Sequence, residues 1–270
     1  MELRAENLRV TAGRREILRG VDFAARAGEV AVIAGPNGSG KTTLLRALTG
    51  EIAHGGRVAL NGRDCAALRP AELALLRAVL PQAAALSFPF TALEVVRLGL
   101  TAGVPGTRAA TGRLPAMALA RVGLAGFEGR HFHDLSGGEK QRVQLARVLV
   151  QIWEPVLDGA PRWLFLDEPV SALDIGHQLQ VMAIARDYAR AGGGVVAVLH
   201  DLNLTAMHAD RVTLLDGGRV RSAGTPAEVL TDATLSAAYH CRLRTNTPPP
   251  AGGPWILPQA ADHCQEEAAE

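Results

Sequence analysis

The chain has 270 residues, 48% of them hydrophobic, enough to bury one substantial core or a core with a smaller attached unit. Its 28 basic and 27 acidic residues leave a formal net charge of +1, so it lacks the positive field of a nucleic-acid binder. No apolar run approaches the ~18–20 residues that span a bilayer, and no secretory signal pattern is present, so any membrane role is expected to be peripheral. Three widely spaced cysteines, Cys65, Cys241 and Cys264, suit a reducing cytosol better than a disulfide framework.

In chain order, residues 3–10 and 21–25 read as antiparallel strands with one polar face. Residues 29–34 are apolar without alternation, as in a central strand buried on both faces, and run into a Gly-rich loop followed by a helix at 41–49. Residues 57–60 with the Asn61-Gly62 turn predict a hairpin. From Phe88 to Gln151 strand signals fade, and helices are expected at 91–98, 115–122 and 138–150 around a Gly/Pro/Thr stretch at 101–112. Strands resume at 163–166, 195–199 and 211–215, with helices at 176–190 and 202–208 between them. The alternation predicts an α/β fold with a mainly parallel sheet, an N-terminal antiparallel β subdomain and an inserted helical subdomain. The expected division is one unit at 1–244, with 1–87 and 152–244 as core and 88–151 as the helical subdomain. Residues 245–270 form a Pro/Gly-rich and acidic tail.

Of the 28 basic residues 26 are arginine; the two lysines are Lys41 and Lys140. Arginine excess can be coding bias, but Lys41 stands in Gly35-Pro36-Asn37-Gly38-Ser39-Gly40-Lys41-Thr42-Thr43, where a compact ammonium suits phosphate oxygens better than a planar fork. The Gly35-x4-Gly40-Lys41-Thr42 spacing between strand and helix fits a P-loop. Backbone N–H groups and the helix N-terminus would cradle phosphates, Lys41 would bridge the β- and γ-phosphates, and the Thr42 hydroxyl would ligate Mg²⁺. Asp167 and Glu168 end an apolar strand, where ligands of open α/β sheets collect. Asp167 is expected in the Mg²⁺ shell and Glu168 as the base for an attacking water. Without Lys41 the same pair would read as two solvated acids.

Leu135-Ser136-Gly137-Gly138-Glu139 with Gln141-Arg142 resembles the signature of ABC-transporter ATPases. Further matches follow in that family's order: Gln82 resembles the Q-loop glutamine, Ser171-Ala-Leu-Asp174 the D-loop and His200 the switch histidine. The resemblance covers about residues 3–239. It implies ATP and Mg²⁺ as cofactors, with Glu168, His200 and Gln82 in catalysis and Thr42, Gln82 and Asp167 around the metal. It further implies a head-to-tail dimer in which Ser136, Gly137, Gly138 and Asp174 of one copy meet ATP on the other. Ser136–Gly138 also reads by itself as an anion site, because it opens a helix.

Residues 86–96 resemble importers of iron chelates, cobalamin and haem. The extended connection at 151–163 resembles haem-import ATP-binding subunits in particular. That resemblance implies transmembrane permease partners, a periplasmic haem-binding protein acting indirectly, no nucleic acid, and a place on the cytoplasmic face of the inner membrane. A ferric-siderophore or cobalamin importer is the alternative. A soluble relative of DNA repair or translation is disfavoured by one motif set in 270 residues, and a non-hydrolysing regulator by Glu168 and His200. Two departures stand out: no aromatic near Ala12 to stack on adenine, leaving Arg14 or Arg15 as substitutes, and Val170 where Thr is usual. His131-x-His133, His240-Cys241 and His263-Cys264 lack zinc-site spacing and read as solvated or interface groups. Trp153 and Trp163 are expected to wedge the connection against the sheet.

Overall fold

The computed structural model describes residues 1–82, 88–102, 112–248, 254 and 256–261. Ser87, Cys264 and most of the expected tail lie outside these, as does most of the 101–112 stretch. Strands β1 (Glu2–Ala12) and β2 (Arg15–Arg26) pair antiparallel, and β1 also pairs with β4 (Gly55–Leu60), which turns through Asn61-Gly62 into β5 (Arg63–Asp64). This gives a four-stranded antiparallel sheet in the order β2-β1-β4-β5. Asn61 and Gly62 both have positive φ, as a two-residue hairpin turn requires.

The second sheet has six strands. Its parallel members are β3 (Val30–Ala34), β6 (Arg77–Leu80), β9 (Trp163–Asp167), β10 (Gly194–Val198) and β11 (Arg211–Asp216), and β12 (Arg219–Gly224) closes one edge antiparallel. The order β12-β11-β3-β10-β9-β6 puts β3, β10 and β9 in the middle, and every residue of those three is buried. The unbroken apolar runs follow from this. Val30, Val32 and Ala34 face one apolar cluster while Ala31 and Ile33 face another, so neither side of the strand meets water.

The two clusters define the layers. One holds the antiparallel sheet, α1 (Lys41–Leu48) and the sheet face bearing Ile33, Trp163, Phe165 and Val198. The other joins the opposite face to α3 (Ala92–Leu98), α4 (Leu114–Arg121), α5 (Gly137–Gln151), α6 (Ile175–Arg190) and α7 (Leu202–His208). The expected helical insertion is therefore fused to the sheet through a shared apolar cluster. Helix α2 (Pro70–Leu76), strands β6 and β12, the short hairpin β7 (Val156–Leu157) and β8 (Ala160–Pro161), and the helices α8 (Pro226–Val229) and α9 (Asp232–Tyr239) had no sequence prediction. They are short or amphipathic only in context.

The connection after α5 is pinned at several points. Gln151 Nε2 donates to the carbonyls of Ala74 and Arg77, and Arg162 donates to those of Leu75 and Gln151. Trp163 Nε1 donates to Asn61 Oδ1 at 3.0 Å, and Asn61 Nδ2 to the Pro161 carbonyl at 2.8 Å. Trp163 is fully buried within β9, so it is part of the sheet core and not a wedge beneath the connection. Trp153 is the more peripheral ring, half-buried under the Arg121 guanidinium. Among the described residues no helix is long and apolar enough to cross a membrane.

Candidate functional site

The loop after β3 turns sharply, with Gly35 at φ 142° and Gly40 at φ 103°. At Gly35 a Cβ would meet the Leu215 carbonyl oxygen at 2.2 Å, so glycine is needed for the close pass of β11. Asn37 and Gly38 are exposed, while Ser39 and Lys41 are buried. The Ser39 hydroxyl is buried without a hydrogen-bond partner, which is the mark of a cradle built to receive an acceptor or donor from outside. Lys41 Nζ donates to the carbonyls of Gly35 and Pro36, each at 2.9 Å. Burial lowers the Lys41 ammonium from its ordinary value, while Glu168 and Asp167 pull it back up. Thr42 and Thr43 follow in the first turn of α1, half-buried.

Thr42 Oγ1 donates to Asp167 Oδ1 at 3.0 Å. Burial pushes the Asp167 carboxyl up, with neighbouring Glu168 adding to the effect and the Thr42 bond opposing it. Hydroxyl, carboxylate and the Gln82 amide are hard oxygen donors of the kind Mg²⁺ takes when phosphate and water complete its octahedron. No group of three or more His, Cys, Asp or Glu side chains that could hold a metal by themselves occurs among the described residues, His131 and His133 included.

Glu168 sits at the next position with φ 50°. Its Oε2 accepts from Gln82 Nε2 at 2.8 Å, and its Oε1 lies 2.6 Å from His200 Nε2. Two residues 86 and 32 positions from Glu168 thus converge on its carboxylate, because β6, β9 and β10 end at the same sheet edge. Gln82 is expected both near the metal and near the base, and in this structure its amide nitrogen is on Glu168.

Ser136 caps α5 in a capping box: its Oγ accepts from Glu139 N, while Glu139 Oε2 accepts from Ser136 N at 2.7 Å. The helix starts at Gly137, one residue earlier than expected. Gly138 packs against the D-loop turn, where a Cβ would meet Leu173 Cδ2 at 3.1 Å and the Ala172 carbonyl oxygen at 3.2 Å. Asp174 caps α6 and binds His177 through both its backbone N–H and Nδ1, and these bonds hold the Asp174 carboxyl below its ordinary range. No hydrogen bond or ion pair among the described residues joins Ser136–Gly138 or Asp174 to the Gly35–Thr43 loop. The chain carries two separate clusters, and a second copy is what could bring them together.

Ala12, Arg14 and Arg15 are exposed at the β1–β2 hairpin tip, whereas Ile17 and Leu18 flank Gly40. Val170 is buried, as a packing residue should be. Sequence reasoning gave no role to Gln178, whose amide donates to the carbonyls of Val170 and Leu173 and so shapes the D-loop, or to Gln141, whose amide reaches the Glu168 carbonyl. No local pattern marks either contact, since both depend on the turn after β9.

A parallel sheet with a glycine loop closing on a buried lysine after β3, and a carboxylate pair at the end of β9 two strands away, defines a P-loop ATPase core. The family model described as "ABC transporter" matches residues 18–171. The chain is 63% identical to the hemin import ATP-binding protein HmuV of Jannaschia sp. (strain CCS1) over 96% of this chain and 95% of that protein. It is 58% identical to the same-named protein of Roseobacter denitrificans, over 97% and 99%. Among solved structures, an ATP-binding subunit of an ABC transporter superposes with a TM-score of 0.74 at 22% identity, covering 90% of this chain and 95% of the other. A dimeric ATP-binding cassette bound to ADP and Pi superposes at 0.71 with 26% identity, covering 83% and 98%. The chain belongs to the ABC transporter family, as one of its ATP-binding, ATP-hydrolysing subunits.

Proposed function

We propose that this chain is the ATPase subunit of a haem importer, working as a head-to-tail dimer on transmembrane permease subunits at the cytoplasmic face of the inner membrane. Near full-length identity to proteins named for hemin import supports the substrate. The observation that carries hydrolysis is the Glu168 carboxylate, held between Gln82 and His200 at the edge of the P-loop.

In this reading Lys41 leaves the Gly35 and Pro36 carbonyls for the β- and γ-phosphates, and the backbone N–H groups from Gly38 to Thr43 enclose the remaining oxygens. Thr42, Asp167 and Gln82 hold Mg²⁺, which supplies charge neutralisation on the phosphates. Glu168 accepts a proton from water as the water oxygen bonds to the γ-phosphorus. The bond from that phosphorus to the β–γ bridging oxygen breaks, releasing ADP and phosphate. His200 orients the γ-phosphate and Glu168 together. Ser136–Gly138 and Asp174 of the second copy close the site, so ATP joins the two subunits and hydrolysis parts them.

The test is ATP turnover in proteoliposomes carrying this chain with its co-purified permease, offered haem-loaded, ferric-siderophore-loaded or cobalamin-loaded binding protein. Selective stimulation by the haem-loaded protein supports the proposal. Stimulation by either other ligand keeps the importer and removes haem, and failure to capture a permease removes the importer.

A further inference from the structure

Glu168 is constrained through its backbone as much as through its side chain. A non-glycine residue at φ 50° carries strain of order 1–3 kcal/mol and persists only where its surroundings over-determine it. Its N–H donates to the Val198 carbonyl of β10 at 3.2 Å. Its own carbonyl accepts from Ser171 N at 3.4 Å and Ser171 Oγ at 3.2 Å, both from the same turn, and from Gln141 Nε2 at 3.0 Å. Gln141 belongs to α5, 27 residues away in sequence and one turn in from Ser136. The Glu168 peptide is therefore strung between the central sheet and the helix that presents Ser136–Gly138.

The other half of the Gln141 amide makes this contact informative. Gln141 Oε1 is buried without a hydrogen-bond partner, so nothing rewards that oxygen for being there. Flipping the amide would set it against the Glu168 carbonyl oxygen, so the amide orientation is dictated by that carbonyl. A leucine or methionine would fill the same space without an orphaned acceptor. What glutamine adds at this position is one donor to the backbone of Glu168.

We propose that Gln141 is a positioning residue for ATP hydrolysis: its grip on the Glu168 carbonyl makes the aim of the Glu168 carboxylate depend on where α5 sits. The proposal rests on the base role of Glu168. A hydrogen bond of 3.0 Å is lost by about 3.5 Å, so a displacement of α5 of under an ångström suffices to release it. Phosphate bound at Ser136–Gly138 thus acts on the base of the same chain, in addition to closing the partner's site. Each subunit then hydrolyses only when its own signature turn is seated, which ties the two sites of the dimer together.

Gln141→Met keeps the length of the side chain and removes the donor. In the permease complex it is expected to lower kcat by ~10- to 100-fold, the scale of an ångström-level misplacement, with KM for ATP within about twofold of the parent. Its Tm is expected to be unchanged or raised, since an unpaired buried oxygen is removed. Gln141→Glu, which sets an oxygen against the carbonyl, is expected to lose at least as much kcat. Unchanged kcat in Gln141→Met overturns the proposal. So does a kcat loss accompanied by a matching KM rise or a fall in Tm, because that marks a structural role. Glu168→Gln is run alongside: full turnover there removes the base assignment, whereas a dead Glu168→Gln with a fully active Gln141→Met removes only the role given to Gln141.

Discussion

Replacing Lys41 with methionine separates the charge of this residue from its bulk. Lys41 is 5% exposed, and its ammonium donates to two carbonyls at 2.9 Å. Losing those bonds costs about 0.5–1.5 kcal/mol each, and relief from burying a charge offsets much of it, so stability without ATP should move by no more than about 2 kcal/mol either way. Binding is different. A unit charge ~4 Å from a phosphate charge, at an effective dielectric of ~20, is worth ~4 kcal/mol, or about a thousandfold in Kd. Calorimetric titration with ATP and Mg²⁺ measures that loss directly. Thermal unfolding gives a second readout: ATP at ~100 times the parental Kd stabilises the parent by ~2.7 kcal/mol and should leave Lys41→Met almost unmoved. An affinity within about threefold of the parent, with ATP stabilisation retained, would refute the cradle built around Lys41.

Glu168→Gln keeps the shape of the base and removes its charge; it should still bind ATP and dimerise on size-exclusion chromatography while kcat falls ~10²–10⁴-fold, and a parental rate would take the base role away. Asp167→Asn tests the raised carboxyl of Asp167. A folded-state value above the unfolded one means the native state favours the protonated form, so the penalty is absent below the unfolded value and grows as pH rises through the folded one. The variant should therefore unfold at higher temperature than the parent near neutral pH without nucleotide, with the gain shrinking towards the acidic carboxylate range; a gain independent of pH would contradict this. Trp163→Ala empties a fully buried site and breaks the bond to Asn61, so urea unfolding should report a loss of ~3–5 kcal/mol, and a loss under 1 kcal/mol would show that the connection closes over the gap.

Legibility differed by element for physical reasons. The central strands could be read because residues 30–34, 163–167 and 194–198 are buried on both faces and need no alternation. Strands β6 and β12 escaped notice because edge strands of four and six residues carry mixed patterns that make sense only beside their neighbours. The candidate site divides the same way. Lys41, Thr42, Asp167 and Glu168 lie where a buried strand gives way to a loop or a helix, so local spacing marks them as candidates, while the bond from Thr42 to Asp167 spans 125 residues and needs the fold. Gln82 and His200 had motif context, but nothing local showed that both would bond one carboxylate.

By itself the sequence determined which chemistry is available: a glycine loop with a lysine and a threonine, an acidic pair ending a buried strand, and a Ser-Gly-Gly turn that opens a helix at Ser136. Glycine spacing and side-chain type act over a few residues, so they survive without three-dimensional context. Tertiary structure alone decided that β6, β9 and β10 deliver Gln82, Glu168 and His200 to one point, and that Gln141 of α5 holds the Glu168 peptide. Those contacts link residues 27 to 86 positions apart, and only the stacking order of strands and the packing of α5 on the sheet bring them within hydrogen-bond reach.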